Sequence, residues 1–170
     1  QLSTKSSTET SESTRILWCT TNKIDVINQY KEIIKGFLAS DKCAVITVRC
    51  HPQFNYKSFI NEELNGCVFG NRIRYSESQS IYDDIINSDV VLSSSGSTVF
   101  LDAMVCKKPV LKLVNDDYYM GDLGANEMTN IYTHNDLLDE IKKISANRGD
   151  PLKYSDLLNT DSAEWIKLFK

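Results

Sequence analysis

Four apolar runs set the terms for any fold of this chain: RILWCTT at 15–21, CAVITVRCHP at 43–52, DVVLSS at 89–94 and PVLKLV at 109–114. They are apolar throughout rather than in alternation, so both faces of each strand must be covered. Between them lie segments with helical spacing. In 23–40, Val26, Ile27, Tyr30, Ile33, Ile34 and Phe37 share one face. Helices are also expected over 56–64, over 80–88 with Ser80 as N-cap, over 97–108, over 135–145 and over 162–169. A shorter strand falls within 66–75, and Asn130–Tyr132 adds another. Strands alternating with helices give right-handed crossovers and a parallel sheet. The expected fold class is α/β: a doubly wound parallel sheet with helices on both faces.

At 170 residues, 41% hydrophobic and 25% charged, the chain is the size of one domain with a full core. A net charge of −4 weighs against general nucleic-acid binding, so any anion site must be local. The odd set of Cys19, Cys43, Cys50, Cys67 and Cys106, mostly in apolar settings, reads as reduced core residues rather than a disulfide framework. Cys50 and His51 are adjacent on a strand and point to opposite faces, so no metal site is expected. There is no apolar run long enough to span a membrane and no signal-peptide pattern. The opening QLSTKSSTETSEST has nine Ser or Thr in fourteen residues, which reads as a disordered linker over 1–14 before a domain over 15–170. With Gln1 in first place, the chain reads as part of something longer.

Open parallel sheets bind ligands beyond the carboxyl ends of their strands, where strand order reverses. The residues there are Thr20 to Asn22, Arg49 to His51, Ser93 to Thr98 and the loop after Val114. In SSSGSTVFLDAM (93–104), Gly96 permits close backbone approach, while Ser95, Ser97 and Thr98 put hydroxyls beside the free N–H groups of a helix start. The pattern suits phosphate; the alternative is that Ser95 or Ser97 simply caps the helix. Asp102, one turn further on, could take the ribose hydroxyls or merely complement the helix dipole. His51 shares a strand face with Arg49 and is a candidate acid towards a phosphate or leaving group; its alternative is a structural strand end. His134 reads as surface. The loop 115–127 is long enough for a lid, and Tyr118 or Tyr119 could stack on a base.

Cys50-His51-Pro52 after a central strand, followed by SIYDDIINSDVVLSSSGSTVFLDAMVCKKPVLKL, resembles the C-terminal nucleotide-binding half of GT-B glycosyltransferases. The resemblance covers roughly 15–145 and implies a Rossmann-like domain, a single half of a GT-B fold. His-Pro paired with a serine cluster is most similar to bacterial sialyl- and polysialyltransferases, CDP-glycerol glycerophosphotransferases and related capsule enzymes. It implies that His51, as catalytic residue, and Ser95, Gly96, Ser97 and Thr98 contact donor phosphates, with Asp102 at the ribose. Many members carry glutamate where Asp102 stands and glycine where Lys107 stands.

The function expected is therefore donor-nucleotide binding in a cytoplasmic glycosyl- or polyol-phosphate-transferring enzyme of surface polysaccharide synthesis. The donor is CMP, CDP or UDP linked. The acceptor domain lies elsewhere in a longer protein, and this half alone is inactive. No cofactor, metal, nucleic acid or transmembrane segment is expected, and any approach to the inner membrane face runs through other parts of the protein. The rivals are half of a non-hydrolysing UDP-GlcNAc 2-epimerase and a non-catalytic docking or regulatory module.

Overall fold

The computed structural model describes residues 13–65, 69–94, 97–114 and 129–147. Its elements run β1 (Arg15–Cys19), α1 (Ile24–Ser40), β2 (Val45–Arg49), α2 (Lys57–Asn65), a 3₁₀ turn (Gly70–Arg72), β3 (Ile73–Tyr75) and α3 (Ile81–Ile86). They continue with β4 (Val90–Ser94), α4 (Val99–Val105), β5 (Val110–Leu113), β6 (Thr129–Ile131) and α5 (His134–Ala146). The six strands form one sheet in the order β3-β2-β1-β4-β5-β6, every pair parallel. The chain winds outward from β1 through β3, then returns to the other side of β1 at β4. The expected doubly wound, Rossmann-like sheet is what forms. Its strand order reverses between β1 and β4, which opens a crevice at their carboxyl ends.

Alternation along β1 builds both layers. Ile16 and Trp18 pack with Tyr30, Ile34 and Phe37 of α1, Ile60 of α2 and Leu137 and Ile141 of α5. Leu17 and Cys19 face the other way, onto Ile85 of α3 and Phe100 and Ala103 of α4. Each large apolar side chain fully removed from water contributes about 1.5–3 kcal/mol, and β1 is buried from Ile16 onward. The Tyr30 hydroxyl, inside this core, donates to the Leu113 carbonyl at 2.9 Å.

Two local features depart from the expectations. His134 is half-buried rather than at the surface, because α5 crosses α1 at Gly36; a Cβ there would lie 2.6 Å from His134 Cγ. Of the described cysteines, all free, only Cys19 is a core residue; Cys43 is exposed and Cys50 and Cys106 are intermediate, while Cys67 lies outside the described residues. Ser93 and Ser94 end β4, as expected for a strand over 89–94, and are buried.

Helix α4 covers seven residues and closes in a tight turn at Lys107, whose φ of 53° is left-handed. The Lys107 N–H donates to Met104 O and the Lys108 N–H to Ala103 O, both at 2.9 Å. This is the paired bonding of a Schellman turn, with Lys107 at the position glycine usually takes. Lys108 then donates its Nζ to Ile86 O at 2.9 Å and Ser88 O at 2.7 Å, capping α3.

Candidate functional site

A cleft of about 510 Å³ opens at the carboxyl ends of β1, β2 and β4, over the reversal in strand order. His51, Ser97, Thr98 and Asp102 all line it, together with Thr20, Thr21, Asn22, Arg49 and Gln79. Ser95 and Gly96 lie outside the described residues, as do the 115–127 loop with Tyr118 and Tyr119 and the helix expected at 162–169. The volume falls in the range of small-ligand pockets.

The loops after β1 and β2 are stitched to each other. Beyond the last paired residues, the Thr20 N–H donates to Arg49 O and the His51 N–H donates to Thr20 Oγ1, each at 3.0 Å. β1 ends at Cys19, short of the expected boundary at 21, and Thr20 joins the two loops through both its N–H and its hydroxyl. Further out, the Tyr56 hydroxyl donates to Asn22 O at 3.1 Å.

Tight turning at Pro52 orients His51. The Gln53 N–H donates to His51 Nδ1 at 3.2 Å, and the Phe54 N–H to His51 O at 3.0 Å. With Nδ1 accepting, the neutral ring carries its proton on Nε2, which is then a donor. Phe54 sits 5.8 Å from the imidazole by ring centroids and stacks on Tyr56 at 5.9 Å. The histidine thus rests against an aromatic pair whose far end is tied to the β1 loop.

Arg49 does not share the role of His51. Its guanidinium forms an ion pair with Asp84 of α3 and donates to Ser76 Oγ at 3.3 Å and to the carbonyls of Ser78, Gln79 and Ser80 at 3.1–3.4 Å. Ser76 Oγ also donates to Asp84 Oδ2 at 2.6 Å, and Ser80 Oγ caps α3 by accepting the Tyr82 N–H at 3.2 Å, as expected. Arg49 holds the 76–80 segment as one wall of the cleft.

On the opposite wall, Ser93 Oγ donates to Cys19 O at 3.3 Å, fastening β4 to β1. Ser97 Oγ accepts the Val99 N–H at 3.4 Å, so it partly caps α4 and keeps its own proton to donate. Thr98 is already helical in φ and ψ, and its side chain makes no cap bond. Asp102 accepts the Tyr82 hydroxyl on Oδ1 at 2.8 Å, and this bond raises the Tyr82 pKa. Burial pushes the Cys19 thiol up to about 12, against the smaller lowering by Arg49. Cys19 is therefore floor, not nucleophile.

Tyr82 and Gln79 did not stand out in the sequence. The signal for the Arg49–Asp84 lock was present in the alternating serines 76, 78 and 80 and the acid pair of α3. Among the described residues, no group of three or more His, Cys, Asp or Glu is arranged for a metal, and no helix is long and apolar enough to cross a membrane.

No family model matches the chain, and no curated protein matches it. Solved structures do. The C-terminal CMP-Kdo binding domain of WaaA from Acinetobacter baumannii is 16% identical at a TM-score of 0.55, covering 87% of each chain. The C-terminal domain of a group 1 family glycosyl transferase (LpcC) from Francisella tularensis is 12% identical at 0.56, covering 89% of this chain and 87% of that one. UDP-GlcNAc 2-epimerase from Neisseria meningitidis bound to UDP-GlcNAc is 17% identical at 0.59, and the likeness covers 88% of this chain but 40% of the epimerase. At these identities the likeness establishes the fold: a Rossmann-like α/β domain of the kind that forms the C-terminal half of GT-B glycosyltransferases and recurs in UDP-GlcNAc 2-epimerases.

Proposed function

We propose that this chain is the donor-nucleotide-binding domain of a glycosyl- or polyol-phosphate-transferring enzyme of GT-B architecture, acting in surface or capsular polysaccharide synthesis. The observation that carries the reading is the cleft at the β1/β4 reversal, where His51 from the loop after β2 meets Ser97, Thr98 and Asp102 from the start of α4. Two structures of the same fold are described as binding CMP-Kdo and UDP-GlcNAc, which supports a sugar nucleotide as ligand. In this reading the Ser97 and Thr98 hydroxyls, with Ser95 and Gly96 before them, receive the donor phosphate. His51 Nε2–H faces the same group and stabilises the charge that develops as the nucleotide leaves. Asp102 Oδ2 takes the ribose hydroxyls while Oδ1 stays with Tyr82. The acceptor and the base that activates it belong to another part of a longer protein, so this half binds without catalysing.

Calorimetric titration of the chain with cytidine and uridine nucleotides, beside Ser97→Ala and His51→Ala, tests this. Binding weakened about tenfold by each change is expected for loss of one phosphate hydrogen bond. Affinity unchanged in both variants refutes the placement. Marked preference for UDP favours the epimerase reading, and indifference to all nucleotides favours a docking module.

A further inference from the structure

The charges around the cleft narrow the class of nucleotide it takes. Arg49 is the only lysine or arginine among the described residues that line it. That charge is engaged: Asp84 pairs with it through Nη1, which also donates to the carbonyls of Ser78 and Ser80, while Nη2 donates to the carbonyl of Gln79. Asp102 lines the same cleft, and its partner Tyr82 is a phenol, which brings no positive charge to offset the carboxylate. Among the described residues, the other polar side chains lining the space are the hydroxyls of Thr20, Thr21, Ser94, Ser97 and Thr98, the amides of Asn22 and Gln79, the thiols of Cys19 and Cys50 and the His51 imidazole. Such donors can replace the water around one phosphate. Each further phosphate adds a negative charge beside an uncompensated carboxylate, in a space where water screens less than in bulk.

We propose that the cleft is built for a nucleotide with a single phosphate, as in a nucleoside monophosphate sugar, and discriminates against nucleoside diphosphates; this rests on the nucleotide-binding reading of the same cleft. The discrimination comes from the Arg49–Asp84 pair, which keeps the nearest cation from the ligand, and from Asp102, which opposes added charge.

The test is calorimetric titration of the 170-residue chain with CMP, CDP and CTP, and with UMP, UDP and UTP, in magnesium-free buffer at low and high salt. Within each series Kd is expected to rise about three- to tenfold per added phosphate, and high salt is expected to narrow that spacing. Asp102→Asn, which keeps an acceptor for ribose and removes the charge, should strengthen CDP binding more than CMP binding. Asp102→Glu should keep the spacing. Diphosphates that bind as tightly as monophosphates, or tighter, overturn the inference while leaving the nucleotide reading intact. Failure of every nucleotide to bind removes that reading and the inference together.

Discussion

Glycine at position 107 should make the protein more stable than alanine there, the reverse of its effect inside a helix. Lys107 has a φ of 53° and its N–H donates to Met104 O at 2.9 Å, so the left-handed turn is fixed by the backbone bonds that end α4. An L-residue held in that region costs roughly 1–2 kcal/mol through its Cβ. Glycine escapes that cost but gives up about 0.5–1 kcal/mol of extra freedom in the unfolded chain. The balance is a gain of about 0.5–1 kcal/mol for Lys107→Gly over Lys107→Ala, or about 1–4 °C in Tm for a domain this size. Comparing glycine with alanine avoids counting the lost lysine side chain. Lys142, on α5 with 67% of its side chain exposed, is the internal control. There glycine should be less stable than alanine by about 1 kcal/mol. Urea denaturation of the four variants reads both differences, and Lys107→Val should be the least stable at its site, since a branched Cβ fits that region worst. A glycine variant at 107 no more stable than the alanine variant would refute the turn and the argument.

Other expectations concern the supports of the cleft and α5. Asp84→Asn leaves a half-buried Arg49 without its counter-ion and should cost about 2–3 kcal/mol in urea unfolding; a loss within error would mean the pair does not hold the 76–80 wall. Gly36→Ala improves helix propensity but drives a Cβ to 2.6 Å from His134 Cγ, so it should destabilise by about 1–3 kcal/mol. His134→Ala in the same chain should restore most of that loss, and additivity of the two changes would contradict the contact. The Thr133 hydroxyl, then the backbone N–H groups of Thr133 and Tyr132, hold the Asp136 carboxyl below its usual range in the capping box of α5. A lowered folded pKa contributes stability above the unfolded value that is lost as pH falls through the folded one. Asp136→Asn should therefore flatten the decline of stability below about pH 4, and an unchanged acid limb would contradict the box.

The sheet was legible because β1, β2, β4 and β5 carry apolar residues on both faces, a pattern set by burial alone. Strand order was not: nothing local in the sequence decides that β4 returns to the far side of β1, although right-handed crossovers favour it. His51, Ser97 and Asp102 line one cleft because the segments that follow strands converge in such a sheet. Period two places Arg49 on the His51 face, and both line the cleft, but it cannot show that Asp84, thirty-five positions away in sequence, pairs with its guanidinium. His134 looked exposed for a related reason: a helix start is ordinarily wet, and only the crossing at Gly36 covers it.

Amide chemical-shift mapping during a CMP titration of the chain tests the central claim most directly. The account predicts that Thr20, Thr21, His51, Gln53, Ser97, Thr98 and Val99 shift together along one saturable curve, while the edge strands β3 and β6 stay still. Shifts confined to other surfaces, or none at saturating nucleotide, would contradict it.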